Sequence, residues 1–226
     1  DAAESDPHHV LVNAVAVGAV AALCRRLDAK LVHVSTDYVF SGKGIRPYRE
    51  DDPVDPVNTY GRAKLLGERR AFEEGQDVLV LRTSWLFGTG GMNFVDTILK
   101  KVEGGAREIP VVDDQVGRPT FAVDLAQAIR RLVEKRVRGV VHFANAGEAT
   151  WHELASEAIA REGHTDVLVR PVATSEFPRP ARRPRWSVLD TSLYDRLTGE
   201  APRSWREALG DYLADRRAAP PARPAP

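Results

Sequence analysis

Five side chains stand close together in the sequence in a way that could do chemistry. Ser35, Thr36 and Asp37 follow a short apolar run, Leu31 to Val34, and put two hydroxyls and a carboxylate where a strand gives out. After an intervening loop, Tyr60 and Lys64 stand four residues apart, a spacing that places them on one face of a helix. A phenol is a proton donor of ordinary pKa about 10, and an ammonium one helical turn away favours the phenolate left after donation. Hydroxyl, carboxylate, phenol and amine at a strand end and a helix start suit general acid catalysis at a carbonyl. In open α/β sheets that is where sites form. The plain alternative for Tyr60 and Lys64 is a surface pair that merely suits a helix, and for Ser35, Thr36 and Asp37 a set of turn caps.

The elements that must carry these residues read as alternating helix and strand. Val10, Ala14, Val17, Ala21 and Cys24 recur at helical spacing, and Pro7 marks the start of that helix. Lys30–Ser35 reads as a strand, and 36–59, with Gly42, Gly44, Pro47, Pro53 and Pro56, as a loop. Tyr60–Glu74 reads as a helix stopped by Gly75, and Val78–Leu81 as the next strand. Further on come a loop over Arg82–Met92, a helix over Asn93–Val102, a short strand at Pro110–Val112, a helix over Val123–Val133 and a strand at Val140–Phe143. Thr150 and Glu153 form a capping-box pair for a helix over Trp151–Glu162. Arg170–Asp190 is rich in proline and arginine and reads as irregular; a last helix is expected over Arg203–Arg217, and 218–226 as a frayed tail.

Composition narrows the function classes. The 226 residues carry 32 Lys plus Arg against 32 Asp plus Glu, so no net positive field draws nucleic acid or an anionic membrane. Cys24 is the single cysteine, which excludes an internal disulfide and a cysteine-rich zinc site. The histidines at 8, 9, 33, 142, 152 and 164 show no ligand spacing, and no metal is expected. The apolar run Val10–Leu23 reads as too short and too alanine-rich for a membrane span, so a cytoplasmic protein is expected. No Gly-x-Gly-x-x-Gly turn opens a helix; Gly42-x-Gly44 lies in the proline-rich loop.

At Ser35-Thr36-Asp37-Tyr38-Val39-Phe40 and Tyr60-Gly61-Arg62-Ala63-Lys64 the sequence resembles the extended short-chain dehydrogenase/reductase superfamily, and within it the dTDP-4-dehydrorhamnose reductase family. Asp1-x-Ala3-Glu4-Ser5 with Val12-Asn13-Ala14, Arg82-Thr83-Ser84-Trp85-Leu86-Phe87-Gly88 with Asn93-Phe94, Val112-x-Asp114-Gln115-x-Gly117-x-Pro119-Thr120, and Arg183-Pro184 with Ser187-x-Leu189-Asp190 are similar to further blocks of that family. Tyr-x-x-x-Lys alone is a weak signal, but the ordered set is specific.

The resemblance implies reduction of the 4-keto group of a dTDP-4-keto-6-deoxysugar by NADPH or NADH. It makes Tyr60, Lys64 and Thr36 catalytic, with Ser35, Tyr60 and Lys64 also at the cofactor. It assigns Asp37, Trp85, Asn93, Gln115 and Arg118 to substrate. Each has a structural alternative: Trp85 as interlobe packing, Asn93 and Gln115 as loop fixings, Arg118 as a solvated arginine. Arg182, Arg183 and Arg185 form a basic run near the expected substrate lobe.

The resemblance further implies an α/β fold, a partial Rossmann-like parallel sheet whose first strands and Gly-rich loop are absent, with a small carboxy-terminal substrate-binding lobe. On that reading the chain lacks the family's amino-terminal cofactor-binding segment, is impaired in turnover, and leaves Leu31–Val34 as a bare edge prone to association. Residues 1–90 are expected to be the remaining NAD(P)-binding part, 91–217 to complete the sheet and form the substrate lobe, and 218–226 to be the tail. The expected partner is the sugar nucleotide, with no nucleic acid, no membrane and a homo-oligomer as an open alternative. A magnesium ion at a subunit contact is associated with some family members and finds no assignable ligands here. The competing function is a non-catalytic, nucleotide-binding regulatory subunit resembling the methionine adenosyltransferase beta subunit; an inert fragment is the third reading.

Overall fold

The structure is a computed structural model and describes residues 2–6 and 8–218. Helix α1 spans His8–Arg26, with a wider π turn over Leu11–Val15. The expected start at Pro7 lies outside the described residues. By length and composition α1 is sufficient to cross a membrane, which corrects the shorter run read from the sequence. Its fully buried residues are Ala14, Gly18 and Ala21, with Val17 partly buried beside them.

Strand β1 (Leu31–Thr36) follows, then a 3-10 turn over Asp37–Val39. Helix α2 covers Thr59–Glu74 and β2 Val78–Thr83. The shorter pieces come next: β3 (Leu86–Phe87), α3 (Phe94–Glu103), β4 (Glu108–Val112), β5 (Val116–Gly117) and β6 (Thr120–Phe121). Helix α4 (Ala122–Glu134) leads to β7 (Gly139–His142), and β8 (Ala149–Thr150) to α5 (Trp151–Arg161). The chain ends through β9 (Leu168–Val172), α6 (Ser192–Thr198) and α7 (Trp205–Ala218).

The central sheet has the order β1-β2-β7, all parallel. β1 pairs with β2 along all six residues, from Leu31 opposite Val78 to Thr36 opposite Thr83. This corrects the expectation of a partial sheet without its first strands: β1 is formed, in register, within a regular parallel α/β layer. Alternation along the strands sends Val32, Val34, Leu79 and Leu81 to one face, where α4 and α6 cover them. The other face meets α2 and α1 through Leu31, Val78 and Val80 against Ala71 and Val17.

Parity puts His33, Ser35 and Arg82 on that helix-facing side too. Three polar residues in an apolar layer must find partners there, and they govern the site.

A second core joins α3, α5, α7, β4 and β6 around Trp205 and Tyr212. β4 and β9 make a two-stranded parallel sheet, with Glu108 opposite Leu168. The sequence reading began its irregular region at Arg170. Pro171 lacks the N–H that an interior strand needs, but a two-stranded sheet has only edges, so β9 tolerates it. Helix α6 lies between that region and the expected last helix, where the sequence suggested no element; its seven residues are too few for a clear period.

Candidate active site

The site grows from the end of β1. Thr36 caps the turn that follows: its Oγ1 accepts from the Tyr38 backbone N–H at 3.2 Å, and its hydroxyl donates to Asp37 Oδ1 at 3.0 Å. Helix α2 starts opposite. Asn58 is its N-cap, accepting from Gly61 N–H at 2.7 Å, and Glu4 binds the Thr59 backbone N–H at 2.8 Å. Gly61 is what lets the two segments meet. A Cβ there would lie 2.2 Å from the Tyr38 carbonyl oxygen. Tyr60 is thereby brought beside Tyr38, ring edge to ring face at 6.1 Å, with the Thr36 hydroxyl near enough to act on its phenol.

Burial pushes the Tyr60 phenol above its ordinary pKa; Asp37 adds to the rise, and the Thr36 hydrogen bond opposes it. Tyr38 is raised as well, again chiefly by burial. The Lys64 ammonium, expected from the sequence to favour the phenolate left after donation, donates to the Val34 carbonyl at 2.6 Å. Tyr60 is held as a protonated phenol, the form a proton donor needs.

Asp37 is 2% exposed. Burial lifts its carboxyl to about 7, against hydrogen bonds from Ser187 and Thr36, while Oδ2 has no hydrogen-bond partner. It was expected at the sugar hydroxyls; the structure places it inward, beneath Thr36. Ser35, expected at the cofactor, is also turned inward and donates to Glu68 Oε1 at 2.5 Å.

Sequence reasoning missed the group under these residues. Glu68 lies one helical turn beyond Lys64 and forms a two-pronged ion pair with Arg82, at 3.0 Å from Nε and 2.7 Å from Nη2. Arg82 rests over the Phe40 ring at 5.2 Å and reaches His142 Nε2 at 3.4 Å. His142 is pushed down to about 3, first by burial and then by the Arg82 charge, and is neutral. Two signals were available: Glu68 continues the Tyr60, Lys64 face by four more residues, and Arg82 is the one charge in an otherwise apolar strand.

Beside the site opens a cavity of about 830 Å³. It reaches Val57, the residue before the α2 cap, and Asn58 Nδ2 donates to the Arg182 carbonyl at 2.8 Å, tying the cavity rim to the helix of Tyr60. Phe94, Trp151 and Phe177 give aromatic walls, and Arg182, Arg183 and Arg185 line it too. The basic run read from the sequence is thus part of a concave surface.

The other expected substrate residues divide. Gln115 lines the cavity and is fixed there, donating to Thr174 Oγ1 at 2.9 Å and accepting from Trp151 Nε1 at 3.1 Å. Trp85 lies behind the wall: it stacks on Trp151 at 3.6 Å, in a positive-φ conformation over Gly117. Asn93 caps α3 through Asp96 N–H and donates to Tyr212 at 3.0 Å. Arg118 points away from the cavity lining, to Thr191 Oγ1 at 3.2 Å.

The donor set fits the nicotinamide ribose of a dinucleotide. An ammonium has three donors; Lys64 uses one on Val34, and Tyr60 stands one turn away on the same face. A Tyr-x-x-x-Lys turn facing a strand-end hydroxyl on a parallel α/β sheet defines the short-chain dehydrogenase/reductase class of site.

The chain belongs to the family described as "RmlD substrate binding domain", whose sequence profile matches residues 1–218. It is 43% identical over 209 residues to the spore coat polysaccharide biosynthesis protein SpsK of Bacillus subtilis, covering 92% of this chain and 72% of that one. It is 41% identical over 216 residues to the dTDP-4-dehydrorhamnose reductase of Streptomyces griseus, covering 92% and 71%. Among solved structures it superposes on the dTDP-4-dehydrorhamnose reductase of Bacillus anthracis in complex with NADP, with a TM-score of 0.85 and 36% identity over 90% of this chain and 72% of that one. The family match takes in residues 1–218, nearly the whole of this chain, and does not bear out the expectation of a missing cofactor-binding segment.

Proposed function

We propose that the protein is an NAD(P)H-dependent oxidoreductase that reduces the 4-keto group of a dTDP-4-keto-6-deoxysugar. The observation that carries this reading is the Tyr60 phenol, kept protonated by burial at the start of α2 against the end of β1, with Lys64 one turn away on the same face. When bound, the cofactor supplies the hydride. Tyr60 holds the carbonyl oxygen by a hydrogen bond that strengthens as negative charge builds there, and the Thr36 hydroxyl turns from Asp37 Oδ1 to donate to the same oxygen when substrate binds. Tyr60 passes its proton to that oxygen, and Lys64 stabilises the phenolate and holds ribose hydroxyls. Asp37 orients the Thr36 hydroxyl and keeps Tyr60 protonated. The aromatic walls with Arg182, Arg183 and Arg185 suit a pyrimidine base and a diphosphate, which arginine's planar fork matches.

The test is direct. The purified protein is mixed with NADPH or NADH and a dTDP-4-keto-6-deoxysugar, and loss of reduced nicotinamide is followed together with the 4-hydroxy product. Steady consumption that Y60F removes supports the reading. A folded protein that binds the nucleotides but consumes no cofactor overturns it, and leaves the regulatory alternative as the better account.

A further inference from the structure

The site described above explains Tyr60, Lys64 and Thr36 but not the buried pair behind them. Residues 60, 64 and 68 of α2 share one face, each a turn from the next. Glu68 is 3% exposed, and its carboxylate is saturated by three hydrogen bonds, one from Ser35 on β1 and two from Arg82 on β2. Ser35 and Arg82 are register partners across the β1–β2 ladder. One carboxylate therefore clasps both strands one residue below the catalytic ends and ties them to the helix that carries Tyr60 and Lys64.

We propose that Glu68 is a positioning residue for Lys64: fixed by Ser35 and Arg82, it supplies the counter-charge that holds the Lys64 ammonium at the end of β1. Lys64 is itself 9% exposed, and among the described residues its ammonium has only the Val34 carbonyl as a hydrogen-bond partner. Burial drives its ammonium toward the neutral amine, and Glu68 opposes that. The other titratable groups on the packed elements do not replace it. His33 on β1 is pushed down to about 4 by burial and by Lys64, and is neutral. His142 on β7 is neutral, Arg82 carries the same sign as Lys64, and Asp37 is bonded to Thr36. His9 on α1 lies against Asn13. A purely mechanical clasp needs the hydrogen bonds of Glu68 but not its charge, which separates the two roles.

The experiment titrates Lys64 by carbon-13 NMR of labelled lysine, its signal assigned through K64M. In E68Q, which keeps the length of the side chain but loses the charge and one of the two Arg82 bonds, the Lys64 midpoint falls by about one pH unit or more; in E68D it stays within a few tenths of the parent. If E68Q does not fold, E68Q/R82Q is compared with R82Q, so that Glu68 is the one charge that differs between the two. A Lys64 midpoint unchanged in E68Q, or equal in E68Q/R82Q and R82Q, overturns the proposal and leaves Glu68 a structural clasp. The inference rests on Lys64 being part of the proposed reductase site, but its readout needs neither cofactor nor turnover. Failure of the sugar reduction and failure of this inference are thus distinguishable.

Discussion

At the scale of the residue, the environment of Tyr60 decides what it can do. A buried phenol beside a carboxylate is a poor base and a well-kept acid. Removing its hydroxyl leaves the ring and its packing on Tyr38 intact. Y60F is therefore expected to lower kcat by about 10²–10⁴, with nicotinamide nucleotide affinity changed only a few-fold; steady-state kinetics and calorimetry on the same preparation check both halves. Thr36→Val removes one hydrogen bond to the developing charge and one to the phenol. Its expected cost in kcat is about 10²-fold, with a loss of about 1–2 kcal/mol of stability as the turn cap and the bond to buried Asp37 go.

Residue type and spacing suffice to single out Tyr60, Lys64 and Thr36 as candidates, because acid chemistry at a carbonyl needs terminal atoms of these types at a fixed helical interval. The inward turn of Ser35 and Asp37 was not. Which way a strand-end side chain points depends on register with β2, and Arg82 and Glu68, the partners that complete the arrangement, are 47 and 33 residues away from Ser35 in sequence.

At the scale of the element, α1, α2 and the β1 strand end fit because of two close approaches. Gly61 admits the Tyr38 carbonyl, and Gly67 admits the Asn13 carbonyl, 2.1 Å from where a Cβ would lie. G67A must push α1 off α2, at an expected cost of about 1–3 kcal/mol. G91A meets nothing within 4 Å and has no positive φ, so it should leave the melting temperature unchanged. Differential scanning calorimetry of the two variants compares them under identical conditions; equal shifts would show that the Gly67 contact is soft.

Helices with chemical end signals were read correctly from sequence. Thr150 and Glu153 form the expected capping box of α5, and Gly75 ends α2. Strand β9 was missed because its proline and arginines mask a strand that pairs with β4, some sixty residues earlier. Local pattern shows an element's ends; it does not show a distant partner.

At the scale of the whole molecule, the buried titratable groups set how stability follows pH. His33 and His142 have folded pKa values of about 4 and 3, below the ordinary 6.5. In the window from about 4 to 6.5 the unfolded chain binds their protons and the folded chain does not, so stability present above 6.5 is lost as pH falls. Asp37 acts oppositely. Its folded pKa of about 7 lies above the ordinary 3.8, so its contribution is full below 3.8 and is lost as pH rises through 7. Glu50 is raised by burial and acts in the same sense as Asp37. Near pH 5.5, unfolding takes up nearly two protons at the histidines and releases one at Asp37 and a further fraction at Glu50. The parent should therefore show only a shallow rise of stability with pH, with a slope below about 1.4 kcal/mol per pH unit. D37N removes one opposing proton and should steepen the slope by about that amount; H142Q removes one cooperating proton and should flatten or reverse it. Urea unfolding midpoints at half-unit intervals from pH 4.5 to 6.5 read the slopes directly. Parallel curves for parent and D37N would mean that the Asp37 carboxyl is already ionised in the folded protein across this range, the form whose charge raises the Tyr60 phenol.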